Sequence, residues 1–149
     1  MRYRTYDSQD FARLYAIEEA CFQPPLRFGP RYMRLLVHSS EAATWVAEQE
    51  GQMAGFGIVE WAENRDETVA YIQTLEVAPD WRGQGVGREL LLRLEAAARA
   101  EGAQRIWLHV DENNAPALGL YRTRGYRFLY REEDYYGPGS TALIHSKPL

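Results

Sequence analysis

Cysteine is nearly absent. Cys21 stands alone, so the chain can form no disulfide within itself and no metal site built on several thiolates. Long apolar runs are missing as well: nothing approaches membrane-spanning length, and the opening Met1-Arg2-Tyr3-Arg4-Thr5-Tyr6 lacks the apolar stretch of a secretory leader. The expectation is a protein of the reducing cytoplasm with no membrane partner and no metal. A dominant basic charge is also lacking, since 17 Lys and Arg stand against 21 Asp and Glu. Broad nucleic-acid binding needs a strong positive field and is not expected, although Arg82, Arg88 and Arg93 can form a local basic patch. Repeats, low-complexity tracts and linkers are absent too. The 149 residues fit one domain, 1–149, large enough for a real core.

What is present reads as mixed α/β. Tyr3 to Tyr6 suits a short strand, and Asp7 and Ser8 can cap a helix carrying Phe11, Leu14, Tyr15 and Ile17 at helical spacing. Pro24, Pro25 and Gly29-Pro30 end it near Phe22, and Arg31 to His38 suits a second helix. An antiparallel pair follows, Thr44 to Glu48 and Met53 to Trp61, turning at Glu50-Gly51. In the second of these strands Gly55 and Gly57 predict a bulge or a close backbone approach. A turn over Glu63 to Asp66 leads to a strand over Thr68 to Val77. A helix from near Gly85 then presents Leu90, Leu91, Leu94, Ala97 and Ala98 on one side and stops at Gly102. The tail reads as a strand over Arg105 to Val110, a helix capped by Asn113 or Asn114, and strands over Tyr126 to Arg131 and Thr141 to His145.

Arg82-Gly83-Gln84-Gly85-Val86-Gly87 joins a strand to a helix. Glycines there allow positive φ, and N–H groups at a helix start converge on an anion, with Arg82 and Arg88 at hand to add charge. Taken alone, three glycines can be no more than a turn. A mononucleotide P-loop requires Lys then Ser or Thr, and Arg88-Glu89 follows instead. A dinucleotide fingerprint requires Gly-x-Gly-x-x-Gly early in a parallel unit, and this loop has another spacing behind an antiparallel sheet.

The spacing Arg82-x-x-Gly85-x-Gly87 resembles the pyrophosphate loop of the GNAT N-acetyltransferases. Leu75-Glu76-Val77-Ala78-Pro79 is similar to that family's strand whose backbone pairs with the pantetheine arm. Asn113 to Tyr126 resembles its Asn-x-x-Ala-x-x-Leu-Tyr-x-x-x-Gly-Phe motif, so the likeness runs over nearly the whole chain. It implies a mixed, mostly antiparallel sheet of about seven strands with about four helices. It also implies acetyl-CoA held by Leu75, Val77, Arg82, Gly83, Gln84, Gly85, Val86, Gly87, Arg88, Asn114 and Tyr121. An acyl-CoA-binding module without catalysis has the same loop; proton-transfer groups separate the two.

Acetyl transfer needs a neutral amine and a protonated thiol leaving group. An α-amine, with a pKa of roughly 8 against about 10.4 for Lys, is easier to deprotonate at neutral pH by about 3 kcal/mol. Strand alternation gives Tyr71, Gln73 and Leu75 a common face, with Glu76 opposite, and places His109 with Trp107. A histidine on a strand is commonly structural. However, Tyr71 to Leu75 and Ile106 to Val110 resemble the paired strands of an N-terminal acetyltransferase type that accepts Met-starting peptides, whose Tyr and His order a water. Ribosomal-protein alanine N-acetyltransferases are also similar, but usually have Glu in place of His109. The resemblance implies His109 as base through water, Tyr71 as its orienter and Tyr121 as acid, with Glu76 ranked as a second candidate base.

Tyr135-Tyr136, within Asp134 to Gly139, resembles the paired-tyrosine hairpin that grips a peptide backbone in those enzymes. Phe22, Pro24 and Pro25 lie where the family builds the pocket for the first side chain. The expected acceptor is thus the α-amine of a peptide or protein N-terminus, with lysine side chains or small amines as the alternative. The expected form is a monomer or weak homodimer.

Overall fold

A computed structural model describes residues 1–149. Strand β1 (Arg2–Thr5) leads through a 3₁₀ turn at Ser8–Asp10 into helix α1 (Phe11–Cys21), and helix α2 (Pro30–His38) follows. Strands β2 (Ala42–Gln49), β3 (Gln52–Asn64) and β4 (Glu67–Val77) form a meander, and a 3₁₀ turn at Pro79–Trp81 precedes helix α3 (Val86–Ala100). Strand β5 (Ala103–Asp111), helix α4 (Ala115–Thr123) and strands β6 (Arg127–Gly137) and β7 (Ser140–Pro148) complete the chain. The seven strands make one sheet in the order β1-β2-β3-β4-β5-β7-β6. Only the β4–β5 pair is parallel. Seven strands, mostly antiparallel, and four helices agree with the expected architecture.

Each sheet face has its own core. Helices α3 and α4 cover one, where Leu91, Leu94, Ala98 and Tyr121 meet Val59, Ala70, Ile72, Ile106 and Leu108. Helices α1 and α2 cover the other, where Leu14, Ile17, Met33 and Leu36 meet Val46, Phe56 and Ile58. The strand glycines serve close approach. A Cβ on Gly57 would lie 2.7 Å from Leu94 Cδ1, and one on Gly55 would lie 2.5 Å from the Glu76 carbonyl oxygen.

The start of α1 is pinned by charge. Asp10 is 2% exposed. Its carboxylate accepts from Arg4 Nη1 and Nη2 at 2.8 and 2.9 Å, from Arg13 Nη2 at 2.8 Å, and from the Asp7 N–H at 2.7 Å. The Arg4 hydrogen bonds do most to lower its pKa from 3.8 to about 2. A depressed carboxylate stabilises the fold above its unfolded pKa and loses that effect as pH falls through the folded value. Asp10→Asn should therefore cost about 2 kcal/mol at pH 7. Urea denaturation of both proteins should show the gap shrinking below about pH 4 and vanishing near pH 2; a gap independent of pH would exclude this origin.

Strand β4 departs from simple alternation. Thr74 pairs with Ile58 and Ile72 with Val59, leaving Gln73 as an extra residue in a β-bulge. Ala70 and Ile72 therefore face α3, whereas beyond the bulge Leu75 faces α3 and Thr74 and Glu76 turn to the other side. Alternation alone places Tyr71 with Leu75 and against Glu76, and this is incorrect. The bulge reverses the parity and brings Tyr71 and Glu76 to the same face, beneath α1 and α2.

The remaining differences lie at element ends. Strand β3 runs on to Asn64, shortening the expected turn, and β6 runs to Gly137, so Tyr135 and Tyr136 lie in the strand and the turn is Pro138-Gly139. Turn residues at Asp134, Gly137 and Gly139 masked that extension; Asp134 does adopt positive φ, at 56°, but within the strand.

Candidate active site

Parallel pairing of β4 with β5 ends at Ile72 and Leu108, next to the bulge. Beyond that point the two strands part. Leu75, Glu76 and Val77 from β4 and Asp111 from β5 then line a groove of about 830 Å³. Its floor and far wall come from the glycine loop, Asn114, Leu120 and Tyr121, and its near wall from Cys21, Phe22 and Leu26. From Leu75 onward β4 is bonded only to β3, so its other edge is free for a ligand's amide groups.

The glycine loop fits an anion. Gly83 and Gly85 have φ of 74° and 83°, and Gly85 is the N-cap of α3 with no side chain capping it. The Arg82 N–H donates to Pro79 and the Glu89 N–H to Gly85, while none of the six N–H groups from Gly83 to Arg88 has a protein acceptor. Six unpartnered donors at a helix N-terminus match a diphosphate. Arg82 Nε donates to the Val77 carbonyl at 3.0 Å, and its Nη2 reaches Cys21 Sγ at 3.4 Å. These contacts tie the loop to the end of β4, and Arg82 also lines the groove. Asn114 caps α4, its Oδ1 accepting from the Ala117 N–H at 3.2 Å, which leaves its amide N–H groups for the groove.

Tyr121 is buried on α4, and burial pushes its phenol well above the usual range. It lines the groove and its hydroxyl has no hydrogen bond within the protein. The phenol therefore stays protonated near neutrality, with its O–H available as a donor into the groove.

On the face under α1 and α2, the Tyr71 hydroxyl lies 3.0 Å from His109 Nδ1. The two residues come from adjacent strands, with Tyr71 in register with Trp107. His109 Nε2 lies 3.0 Å from Glu132 Oε2, and Tyr135 stacks on the imidazole with centroids 4.0 Å apart and planes 13° apart. Burial, followed by the neighbouring Tyr135, holds the Tyr71 phenol far above its ordinary range. Tyr71 thus keeps its proton here. Tyr136 is half-buried, and burial raises it too.

Glu76 shares this face, with one of its two carboxyl oxygens engaged. Oε2 accepts from Thr74 Oγ1 at 2.6 Å, and burial, then the Glu18 carboxyl, hold Glu76 well above the usual carboxylate range. Oε1 of Glu18 and Oε1 of Glu76 are both buried without a hydrogen-bond partner.

The three residues named for the first-side-chain pocket separate. Phe22 lines the groove, joined by Leu26 of the same segment. Pro24 and Pro25 are exposed, and Pro25 instead approaches the β6–β7 turn, where a Cβ on Gly137 would lie 3.2 Å from its Cγ. Glu132 was missed. It sits in an acidic run, Glu132-Glu133-Asp134, that carries no local signal of a partner.

A strand splayed from its neighbour, with a diphosphate nest beside it, defines an acyl-CoA-dependent transferase. The chain belongs to the Acetyltransferase (GNAT) family, whose model matches residues 11–126. Acetyl-CoA is the acetyl donor of that family. The chain is 32% identical over 138 residues to a candidate ribosomal-protein bS18-alanine N-acetyltransferase of Bacillus subtilis (strain 168), covering 91% of this chain and 87% of that one. It is 35% identical over 114 residues to a streptothricin acetyltransferase of Streptomyces lavendulae, a match covering 73% of this chain and 59% of that enzyme. Arabidopsis thaliana NAA60 in complex with acetyl-CoA has the same fold, with a TM-score of 0.88 at 20% identity, covering 99% of this chain and 98% of that one.

Proposed function

We propose that this protein transfers acetyl from acetyl-CoA to the α-amine of a peptide or protein N-terminus. The observation that carries the reading is the Tyr71–His109 contact on the face that Tyr135 also borders. When bound in the groove, acetyl-CoA supplies an activated thioester, so that the N–C bond forms as the C–S bond breaks. The amine proton passes to His109 Nδ1, through the Tyr71 hydroxyl or a water held by it. Tyr121 gives its proton to the departing sulfur, and both residues are reset by solvent. Tyr135 and Tyr136, at the end of β6, hold the peptide backbone.

A second reading is a small cationic amine as acceptor. It is favoured by the likeness to a streptothricin acetyltransferase and by the Glu60 and Glu132 carboxylates near Gln73 and His109. Turnover with N-terminal peptides beginning with Met or Ala, lysine peptides, polyamines and streptothricin distinguishes the readings. The expected result is acetylation of the peptide α-amines with the highest kcat/KM. Turnover of streptothricin or polyamine with no α-amine product would overturn it.

A further inference from the structure

Imidazole has two ring nitrogens, and only a nitrogen that carries no proton can act as base. In His109 the two point to different partners: Nδ1 to the Tyr71 hydroxyl and Nε2 to the Glu132 carboxylate, each at 3.0 Å. An ionised carboxylate only accepts, so the hydrogen between Glu132 and the ring sits on Nε2. Nδ1 then carries the lone pair and accepts from Tyr71. The tautomer needed for proton removal on the Tyr71 side is therefore set from the far side of the ring.

We propose that Glu132 is a positioning residue of the acetyl transfer, holding His109 as its Nε2–H tautomer and steadying the imidazolium once Nδ1 has taken the proton. The inference rests on His109 serving as base. The geometry is suited to the task. The His109 side chain is 10% exposed and clamped by the stacked Tyr135 ring, so it has little freedom to turn. Glu132 is 47% exposed on β6, with its carboxylate open to solvent. A buried orienting carboxylate contributes up to about four orders of magnitude in serine hydrolases. Solvent screens this one, and the expected contribution is much smaller.

The test combines ring-nitrogen NMR with kinetics on the full chain. There are three histidines, so ¹⁵N-labelled His109 is readily assigned by its loss in His109→Gln. Wild type should show a protonated Nε2 and an unprotonated Nδ1. Glu132→Ala should mix the tautomers and lower kcat about tenfold, with KM for acetyl-CoA unchanged. Glu132→Gln, whose amide oxygen can still accept from Nε2–H, should retain the tautomer and recover part of kcat. Unchanged tautomer in Glu132→Ala overturns the proposal whatever the rate does. The NMR reading needs no turnover, so it stands apart from the identity of the acceptor; if no amine is acetylated, the functional reading fails on its own.

Discussion

Replacing His109 with alanine should lower kcat by about a hundredfold or more and leave acetyl-CoA affinity within about twofold of wild type. The affinity should persist because His109 does not line the groove; the loop from Gly83 to Arg88, the free edge of β4 and Asn114 do. The rate should fall because the other groups near the amine cannot replace it. Burial, and then Tyr135, hold the Tyr71 phenol too high to be a base near neutrality. Glu76 is bonded to Thr74 Oγ1, and burial, then the Glu18 carboxyl, hold it above the usual carboxylate range. Steady-state kinetics and calorimetric titration with acetyl-CoA give both quantities. Wild-type kcat in the variant would remove His109 from the chemistry.

Tyr121→Phe should lower kcat by about tenfold to a hundredfold with almost no change in stability. A thiol near its ordinary pKa of about 8.5 leaves poorly as a thiolate at neutral pH unless a proton arrives. The Tyr121 hydroxyl is suited to bring it, since it holds its proton and lines the groove beside Leu120 and Ala117. Removing the oxygen breaks no hydrogen bond within the protein, and the ring keeps its edge contact with Tyr126 at 5.4 Å. A large stability loss with unchanged kcat per folded molecule would mean that Tyr121 only packs beneath its helix. Together the two variants separate the proton that leaves the amine from the proton that reaches the sulfur.

Much of this was legible beforehand because it is local. The loop from Arg82 to Gly87 announces itself by positive-φ glycines at a helix start, and the Asn114 cap by its position two residues before Pro116. Helix and strand order followed from hydrophobic period, as the two cores confirm. The errors occurred where a local rule met a non-local cause. Period-2 alternation assumes an unbroken ladder, and the extra residue at Gln73 breaks it. The pocket residues Pro24 and Pro25 were chosen for character and place in the chain; that Pro25 lies beside Gly137 at the end of β6 was not legible in the local sequence.

The amino-acid sequence by itself determined the order of elements, the anion-binding loop and the family, because each rests on residue types at short, fixed spacing. Only the tertiary structure decided which side chains act together. Tyr71 and Glu76 share a face because of one bulge, and burial together with Glu18 sets the environment of Glu76. Tyr71, His109 and Glu132 come from β4, β5 and β6 and meet because strands far apart in the chain are brought together in one sheet. Distances of 3.0 Å between such residues depend on register and twist, which no stretch of sequence carries alone.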